Sequence, residues 1–187
     1  MKYAIFEQLE TENLILRKFK EEDVEYFFKR VGGSKNVTKY MLWQPHKSLK
    51  ESRESIEKVI SQYESGKCYA WGIALRSDDS IIGRIDLLRF NETESCCSFA
   101  YMLGEDFWGK GYGTEALKAV LKYAFEKMDM KKVIADHMSE NVASGRVMKK
   151  AGMHYVQRHT LKYEKNGKYY DADECMITYE DWQMFNS

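Results

Sequence analysis

The sequence predicts an α+β domain with a mixed, mostly antiparallel central sheet of about seven strands and helices on both faces. Between residues 69 and 103, apolar residues alternate in three segments separated by polar residues, which is typical of an antiparallel meander. A strand, a helix and a second strand follow over residues 98–138 and indicate a parallel pair joined by a crossover. Asn166-Gly167 lies between two further alternating segments and predicts a hairpin.

Length and charge limit the class of protein further. The 187 residues, 44% of them hydrophobic, predict a single domain over residues 1–187. Basic and acidic residues number 29 each, so no net field attracts nucleic acid or an anionic membrane. The N-terminus lacks the pattern of a signal peptide, and no apolar run reaches membrane-spanning length. These features predict a cytoplasmic protein.

The four cysteines indicate neither a zinc site nor a disulfide framework. They do not form paired C-x-x-C units, and two of them are adjacent in a predicted strand, where they point to opposite faces. We expect free, buried thiols at Cys68, Cys96, Cys97 and Cys175.

The N-terminal third predicts one strand and two helices. Alternating residues in Asn13–Phe19 indicate the strand, and an apolar stripe from Val24 to Val31 indicates the first helix. Ser48 followed by Glu51 is a capping-box pattern that begins a second helix, which ends near Gly66.

The loop between these two helices, Val37–Lys47, is aromatic and basic. Its rings at Tyr40, Trp43 and His46 either fold onto the core or form a wall of a substrate site. The sequence leaves both interpretations open.

The middle of the chain predicts the meander. Period-two alternation runs through Tyr69–Leu75 and again through Ile81–Leu87, with a polar turn at residues 77–80. A third strand covers Ser95–Leu103.

After the crossover helix, the apolar segment Lys132–Met138 predicts another strand. Asn141 is placed to cap a short helix that ends at Gly152. The final hairpin pairs Val156–Glu164 with Tyr169–Thr178.

A glycine-rich segment, Phe107–Ala116, lies between the third meander strand and the crossover helix. Its glycines at 109, 111 and 113 remove side chains from a loop that leads into a helix N-terminus, where backbone N–H groups are unpaired. A phosphate or pyrophosphate is the expected ligand. A dinucleotide site would belong to an alternating parallel array, and a nucleotide-hydrolysing loop would end in Gly-Lys-Ser/Thr, so both alternatives are disfavoured.

These segments together resemble the GCN5-related N-acetyltransferase (GNAT) family, specifically its RimJ/RimL-like ribosomal-protein N-terminal-acetyltransferase branch. The similarity extends over nearly the whole chain. The matching segments are Leu9–Arg17, Phe107–Ala116, Asn141–Ser144, Lys150–Met153 and Gly167–Asp171. In the pyrophosphate loop of the family, Gly111 and Gly113 match, while Trp108 stands where many members have Gln or Arg.

The resemblance implies the GNAT fold, with acetyl-coenzyme A as co-substrate and no metal. It implies that the strands Ser98–Leu103 and Val133–Met138 lie parallel and separate, opening a slot for the pantetheine arm. Family members bend the first of these strands at a bulge, often at a glycine, where this chain has Ala100. The implied cofactor-binding residues are Tyr101, Met102, Leu103, Trp108, Gly109, Lys110, Gly111, Tyr112, Gly113, Thr114, Asn141 and Ser144.

The sequence indicates fewer catalytic residues than cofactor-binding residues. Many relatives place a proton-donating tyrosine seven residues after the asparagine, but here that position is Met148, which cannot donate. Ser144 is the replacement suggested by this branch, although a serine near a helix start also bonds local backbone. The residues themselves leave the general base open: Asp86, Asp136, His137, His159 and Glu164 lie on predicted strands, where each can also be a solvated or ion-paired residue, and a water chain could carry the proton. His137 and Glu164 are our candidates.

The implied function is direct transfer of an acetyl group from acetyl-coenzyme A to a primary amine in a ternary complex. The acceptor is either a peptide N-terminus or a small amine, such as a polyamine, an aminoglycoside or an amino acid. The alternative is a non-catalytic sensor of acetyl-coenzyme A or an interaction module. Relatives often dimerise through their last strands or helices, which predicts a homodimer here.

Overall fold

The computed structural model describes residues 5–66 and 68–187. Within them, eight strands form one sheet in the order β1-β2-β3-β4-β5-β6-β8-β7. All neighbours pair antiparallel except β5 and β6, which are parallel. The strands are β1 (Leu9–Glu10), β2 (Leu14–Arg17), β3 (Tyr69–Leu75), β4 (Ile81–Asn91), β5 (Cys96–Leu103), β6 (Lys132–Met138), β7 (His154–Lys165) and β8 (Lys168–Thr178).

Helices cover both faces of this sheet, which confirms the predicted α+β class. Helices α1 and α2 pack with one apolar cluster, while α3, α4 and α5 pack with the other. The helices are α1 (Val24–Phe27), α2 (Leu49–Tyr63), α3 (Tyr112–Glu126), α4 (Val142–Lys150) and α5 (Tyr179–Asn186).

The predicted first helix is irregular. A 3-10 turn at Glu21–Asp23 precedes α1, and a π-helical turn at Phe28–Gly32 follows it. The apolar stripe was the right signal for a helical segment, but it does not report which hydrogen-bonding pattern the backbone adopts.

The two predicted helix caps are present. The backbone N–H of Glu51 donates to Ser48 Oγ at 3.4 Å, and that of Ser144 donates to Asn141 Oδ1 at 3.3 Å. Two elements were not predicted. Helix α5 is capped reciprocally by Thr178 and Asp181, a capping-box signal present in the sequence. Strand β1 has only two residues, too few to show a period.

The two faces of the sheet carry separate cores. Fully buried Trp71, Ile85 and Leu117 belong to the cluster under α3, whereas Phe27 and Ile56 belong to the cluster under α1 and α2. The alternation of side chains along β3 and along β4 produces this division, because successive side chains of a strand point to opposite faces of the sheet.

The parallel pair between β5 and β6 is short. Register partners run from Cys96 opposite Lys132 to Ser98 opposite Ile134, and no pair follows in the described chain. Each strand stays paired on its other side, since β5 follows β4 as far as Leu103 and β6 follows β8 as far as Met138. The sheet therefore opens between the C-terminal parts of β5 and β6.

The family's bulge does not lie at Ala100 in this chain. Strands β4 and β5 stay in register from Gly83 opposite Leu103 to Leu88 opposite Ser98. The register shift between the two strands lies instead in β4, between Leu88 and Asn91, which pairs with Cys96. Arg89 within this irregular stretch has a φ of +53°.

The cysteines are free, as predicted. Cys96, Cys97 and Cys175 are buried, while Cys68 is partly exposed. Burial raises the pKa of the Cys97 thiol to about 12, which makes it an unreactive core residue. In the part of the chain that the structure describes, no helix is both long and apolar enough to cross a membrane.

A buried ion pair holds the start of the domain together. The Arg17 guanidinium at the end of β2 donates to both carboxylate oxygens of Asp23, at 2.8 and 2.9 Å, and also bonds the carboxylate of Asp79 in the β3–β4 turn. The side chains of Arg17 and Asp23 are only 7% and 5% exposed. The bidentate geometry compensates both charges for the loss of water.

We predict that Asp23→Ala lowers the free energy of unfolding by about 3–5 kcal/mol, because it leaves a buried guanidinium without its bidentate partner. Urea denaturation measures this change. The control is Glu25→Ala, which breaks the exposed Glu25–Lys29 pair and should cost at most ~1 kcal/mol. Equal losses in the two variants would contradict the role assigned to the buried pair.

Candidate functional site

A cavity of about 540 Å³ begins where β5 and β6 separate. Residues 101–103 of β5 form its floor, and the glycine-rich loop with the start of α3 forms one end. Helix α4 contributes one side, and residues 36–41, between α1 and α2, close the other end. One continuous space therefore connects the glycine-rich loop to the loop before α2.

The glycine-rich loop has the geometry of an anion site. Gly109 and Gly111 have φ values of +75° and +89°, a region that favours glycine. A Cβ atom at either position would meet nothing within 4 Å, so the space in front of the loop is open. Helix α3 begins at Tyr112 without a side-chain cap, which leaves its first amides free to bind phosphate oxygens.

Trp108 joins this loop to the sheet. Its indole Nε1 donates a hydrogen bond of 2.7 Å to the carbonyl oxygen of Leu103, the last residue of β5. The ring remains 50% exposed, so the hydrogen bond rather than burial accounts for its placement. The contact fixes the loop relative to the strand.

The backbone of β5 faces the opening at alternate residues. The N–H of Gly104 donates to Ile82 in β4 at 2.8 Å, and residues of a strand alternate in the direction of their polar groups. The N–H and C=O groups of Tyr101 and Leu103 therefore point away from β4. Since the Leu103 carbonyl already accepts the Trp108 indole N–H, the groups that an extended ligand with amide groups can pair with are the two N–H groups and the Tyr101 carbonyl.

Hydroxyl-bearing residues from several elements line the cavity, among them Tyr101 on β5 and Ser144 in the first turn of α4. Ser144 is only 7% exposed. Burial raises the pKa of the Tyr101 phenol. Met148, at the position where many relatives carry tyrosine, is buried and only 2% exposed.

Two cations near the cofactor end were missed by the sequence analysis. Arg146 and Lys150 of α4 line the cavity together with Ala143 and Val147. This three- and four-residue spacing marks one helix face and was readable in the sequence. Both side chains are suited to attract a phosphate-bearing ligand.

The opposite end of the cavity is built from the 3-10 helix Val37–Tyr40 and Met41. Lys165, at the tip of the β7–β8 hairpin, donates to the carbonyl oxygens of Thr38, Lys39 and Met41 at 2.7, 3.1 and 2.7 Å. The hairpin thus holds this helix in place across a long sequence separation.

The cavity loops are also tied to one another. Glu105, just after β5, accepts hydrogen bonds from Ser34 and from Asn36, the latter at 2.7 Å. These bonds hold the pKa of Glu105 below its usual range. The carboxylate therefore connects the turn after β5 to the segment just before the 3-10 helix Val37–Tyr40.

The two interpretations of the aromatic loop each hold for part of it. Tyr40 lines the cavity. Trp43 instead packs against His46, with ring centroids 5.1 Å apart, and His46 contacts the hydroxyl of Ser52 on α2 at 2.7 Å. Only the first part of the loop forms a wall of the site.

The structure brings nearly all the predicted cofactor-binding residues together. Lys110 is the exception: it does not line the cavity, and its ammonium lies 5.6 Å from the centroid of the Phe107 ring. The residues that do line it are Tyr101, Met102, Leu103, Trp108, Gly109, Gly111, Tyr112, Gly113, Thr114, Asn141 and Ser144. Their contacts with a cofactor stay a prediction.

The two predicted bases do not lie with these residues. His137 packs on the α4 side, where a Cβ on Gly145 would come within 2.8 Å of its Nε2, and its Nδ1 lies 2.9 Å from the carbonyl oxygen of Met138. Glu164 is exposed on β7. Neither lines the cavity, so the structure does not bring them to Ser144, and their catalytic role stays a prediction.

The fold and site together define a class of protein that binds a long, phosphate-bearing acyl carrier across a splayed sheet. A family model described as an acetyltransferase (GNAT) domain matches residues 13–154. The chain therefore belongs to the GNAT family of acetyltransferases. It is an N-acetyltransferase that takes its acetyl group from acetyl-coenzyme A, which fits the open glycine loop, the free amides of α3 and the cations of α4.

Individual acetyltransferases are similar to this chain in sequence or in fold. The uncharacterized N-acetyltransferase p20 of Bacillus licheniformis is 25% identical over 180 residues, covering 96% of this chain and 95% of its own length. RimL, the ribosomal L7/L12 alpha-N-protein acetyltransferase solved with coenzyme A, superposes with a TM-score of 0.79 at 20% identity, covering 92% of this chain and 98% of its own. Spermidine N-acetyltransferase from Vibrio cholerae, solved with coenzyme A and spermine, superposes with a TM-score of 0.78 at 18% identity, covering 92% of this chain and 99% of its own.

We predict that Gly111→Ala weakens acetyl-coenzyme A binding about tenfold, because an L residue at this φ stores about 1–3 kcal/mol of strain. The loop of the variant relaxes into another conformation to relieve that strain, and returning it to the binding conformation reduces the affinity for the co-substrate. Isothermal titration calorimetry measures the dissociation constant.

The matched control is Gly66→Ala. Gly66 also has a positive φ, +66°, and open surroundings, but it lies after α2 and away from the cavity. This variant should lose similar stability while keeping the affinity for acetyl-coenzyme A. Equal affinities in both variants and the unaltered protein would contradict the anion site.

Proposed function

We propose that this protein acetylates a primary amine, either a peptide N-terminus or a small amine, by direct transfer in a ternary complex. The observation that carries the proposal is the single cavity joining the glycine-rich loop to the 3-10 helix Val37–Tyr40. A co-substrate held at the loop can extend along β5 toward an acceptor that enters beside Tyr40. Holding both reactants in one space removes most of the entropic cost of their encounter.

Each end of the cavity has a distinct role in this proposal. The amides of Gly109–Thr114 and the cations Arg146 and Lys150 hold the pyrophosphate end. The backbone of Tyr101 and Leu103 pairs with the pantetheine arm, and a backbone N–H near Leu103 polarises the thioester carbonyl as its oxygen gains charge. Acetyl-coenzyme A supplies the activated acyl group.

We place Ser144 in the catalytic set as well. Its hydroxyl is buried in the cavity, and Asn141 holds the helix turn that carries it. Among the similar structures, one protein is named for a peptide N-terminus and another for spermidine, which supports these two acceptor classes for this chain. A place in the RimJ/RimL-like branch and a homodimer are parts of the same proposal, and the four free thiols support a reducing, cytoplasmic location.

A thiol-release assay tests the transfer. We expect at least one acceptor from a panel of peptides with varied N-termini, spermidine, an aminoglycoside and free amino acids to release coenzyme A thiol. Mass spectrometry should find an equal amount of N-acetylated product. Acetyl-coenzyme A bound in the calorimeter, with no thiol released above the amine-free rate for any acceptor, would overturn the proposed function.

We predict that Lys165→Met raises the KM for the acceptor about tenfold, equivalent to one lost hydrogen bond from a charged donor, while the KM for acetyl-coenzyme A stays nearly constant. The variant removes the ammonium that holds the carbonyls of Thr38, Lys39 and Met41. The matched control is Lys168→Met in the same hairpin; the Lys168 side chain is 66% exposed, and its ammonium lies 3.7 Å from Glu140 Oε1. A change in acceptor KM of the same size in both variants would contradict the role of Lys165.

A further inference from the structure

The charged residues that line the cavity are all cations. Lys39 lies on the 3-10 helix Val37–Tyr40, while Arg146 and Lys150 lie on α4. Among the described residues, no aspartate or glutamate lines this space. In the proposed function Arg146 and Lys150 serve the pyrophosphate end, so Lys39 is the charged residue at the acceptor end.

The ammonium of Lys39 is free to bind an anion. The residue is exposed, and its ammonium lies 4.8 Å from the centroid of the Tyr40 ring, which also lines the cavity. No ion pair in the described part of the chain includes Lys39, whereas Lys162 of the β7–β8 hairpin is paired with Asp136. An aromatic face attracts an ammonium without cancelling its charge.

Two acids lie near this end, but each has a partner of its own. Glu105 accepts a hydrogen bond of 2.7 Å from Asn36, and Glu140 lies 3.7 Å from the ammonium of Lys168. The charge of Glu140 also acts on Lys39, yet neither acid lines the cavity. A ligand inside the cavity therefore meets the lysine rather than a carboxylate.

A second ammonium adds positive charge behind the 3-10 helix. Lys165 donates to the carbonyl oxygens of Thr38, Lys39 and Met41. Carbonyl groups are neutral, so these bonds satisfy the donors of Lys165 without cancelling its charge. The acceptor end is thus positively charged from both sides of the helix.

This charge distribution selects among amines. A polyamine brings several positive charges into a space where no carboxylate receives them, and like charges repel. An amine with a carboxylate near it can place that group against Lys39 instead. Nearby cations also lower the pKa of a bound ammonium, which favours the neutral amine that attacks the thioester.

We propose that the acceptor is a primary amine that carries an anionic group and that Lys39 binds this group. The inference rests on the proposed acetyl transfer and narrows its acceptor. The α-carboxylate of a free amino acid and an acidic side chain near a peptide N-terminus supply the same chemistry. Separate pairs of acceptors distinguish these two sources.

Matched acceptors test the preference in the unaltered protein. One pair is an amino acid and its primary amide; the other is two peptides that share the first residue and carry Glu or Lys as the second. Spermidine is measured beside them. We expect kcat/KM for thiol release, divided by the fraction of neutral amine, to be about tenfold higher for the anionic member of at least one pair than for its partner and for spermidine. A preference in the first pair indicates a free amino acid, and one in the second pair alone indicates a peptide.

We predict that Lys39→Glu lowers this preference about tenfold, mainly by raising the KM for the anionic acceptor, because attraction at the cavity wall becomes repulsion. The KM for acetyl-coenzyme A should stay nearly constant. The matched control is Lys35→Glu, which changes the net charge equally in the same segment, at an exposed residue that does not line the cavity. Raising the salt concentration from about 0.05 to about 0.5 M should weaken the preference of the unaltered protein and have little effect on Lys39→Met.

The outcomes separate this inference from the proposed function. If the unaltered protein acetylates amines but prefers the amide, the Lys-bearing peptide or spermidine, the inference is overturned while the function stands. Equal losses for both members of a pair in Lys39→Glu, or the same loss of preference in Lys35→Glu, would overturn it too. If no amine releases thiol from the unaltered protein, the proposed function fails and the inference fails with it.

Discussion

The parting of β5 from β6 after Ser98 and Ile134 is the constraint on which the site depends. Both strands keep their outer partners, so the backbone groups facing the gap lack the strand that a complete sheet would supply. The indole of Trp108 satisfies the carbonyl of Leu103, and water or a ligand must satisfy the other groups. An extended molecule with amide groups therefore gains hydrogen bonds from an existing template, and every other feature of the cavity lies along this gap. The glycine-rich loop lies beyond β5, and α4 lies beside it.

The glycine-rich part of the cavity was predictable as a candidate anion site because it depends on local chemistry. Gly109 and Gly111 need a positive φ, and a glycine-rich turn before a helix indicates an anion site wherever it occurs. The predicted meander, crossover and hairpin were confirmed for a similar reason, since each follows from short-range periodicity. The irregular turn after α1 and the two-residue β1 carry no such period. Helix α5 did carry a capping signal in Thr178 and Asp181, so the sequence could have revealed it.

Contacts between distant segments were not predictable from one sequence. The bonds from Lys165 to the carbonyl oxygens of Thr38, Lys39 and Met41 depend on the position of a hairpin tip far along the chain. The same reasoning explains His137. Alternation shows that it faces opposite to Asp136, but only the packing of α4 shows that its face meets Gly145 rather than the cavity.

The two ends of the cavity differ in what a substitution can change. In the proposed function, the anion site at the co-substrate end is formed by backbone amides and glycines, so few side-chain replacements in that loop can alter which ligand it accepts. The proposed acceptor end includes the side chains of Val37, Tyr40 and Met41, on and beside a short helix held from outside by Lys165. Substitutions there change shape and charge without disturbing the sheet. One fold can thus keep acetyl-coenzyme A while its acceptor changes, which is why the residues reveal the acyl donor more clearly than the amine.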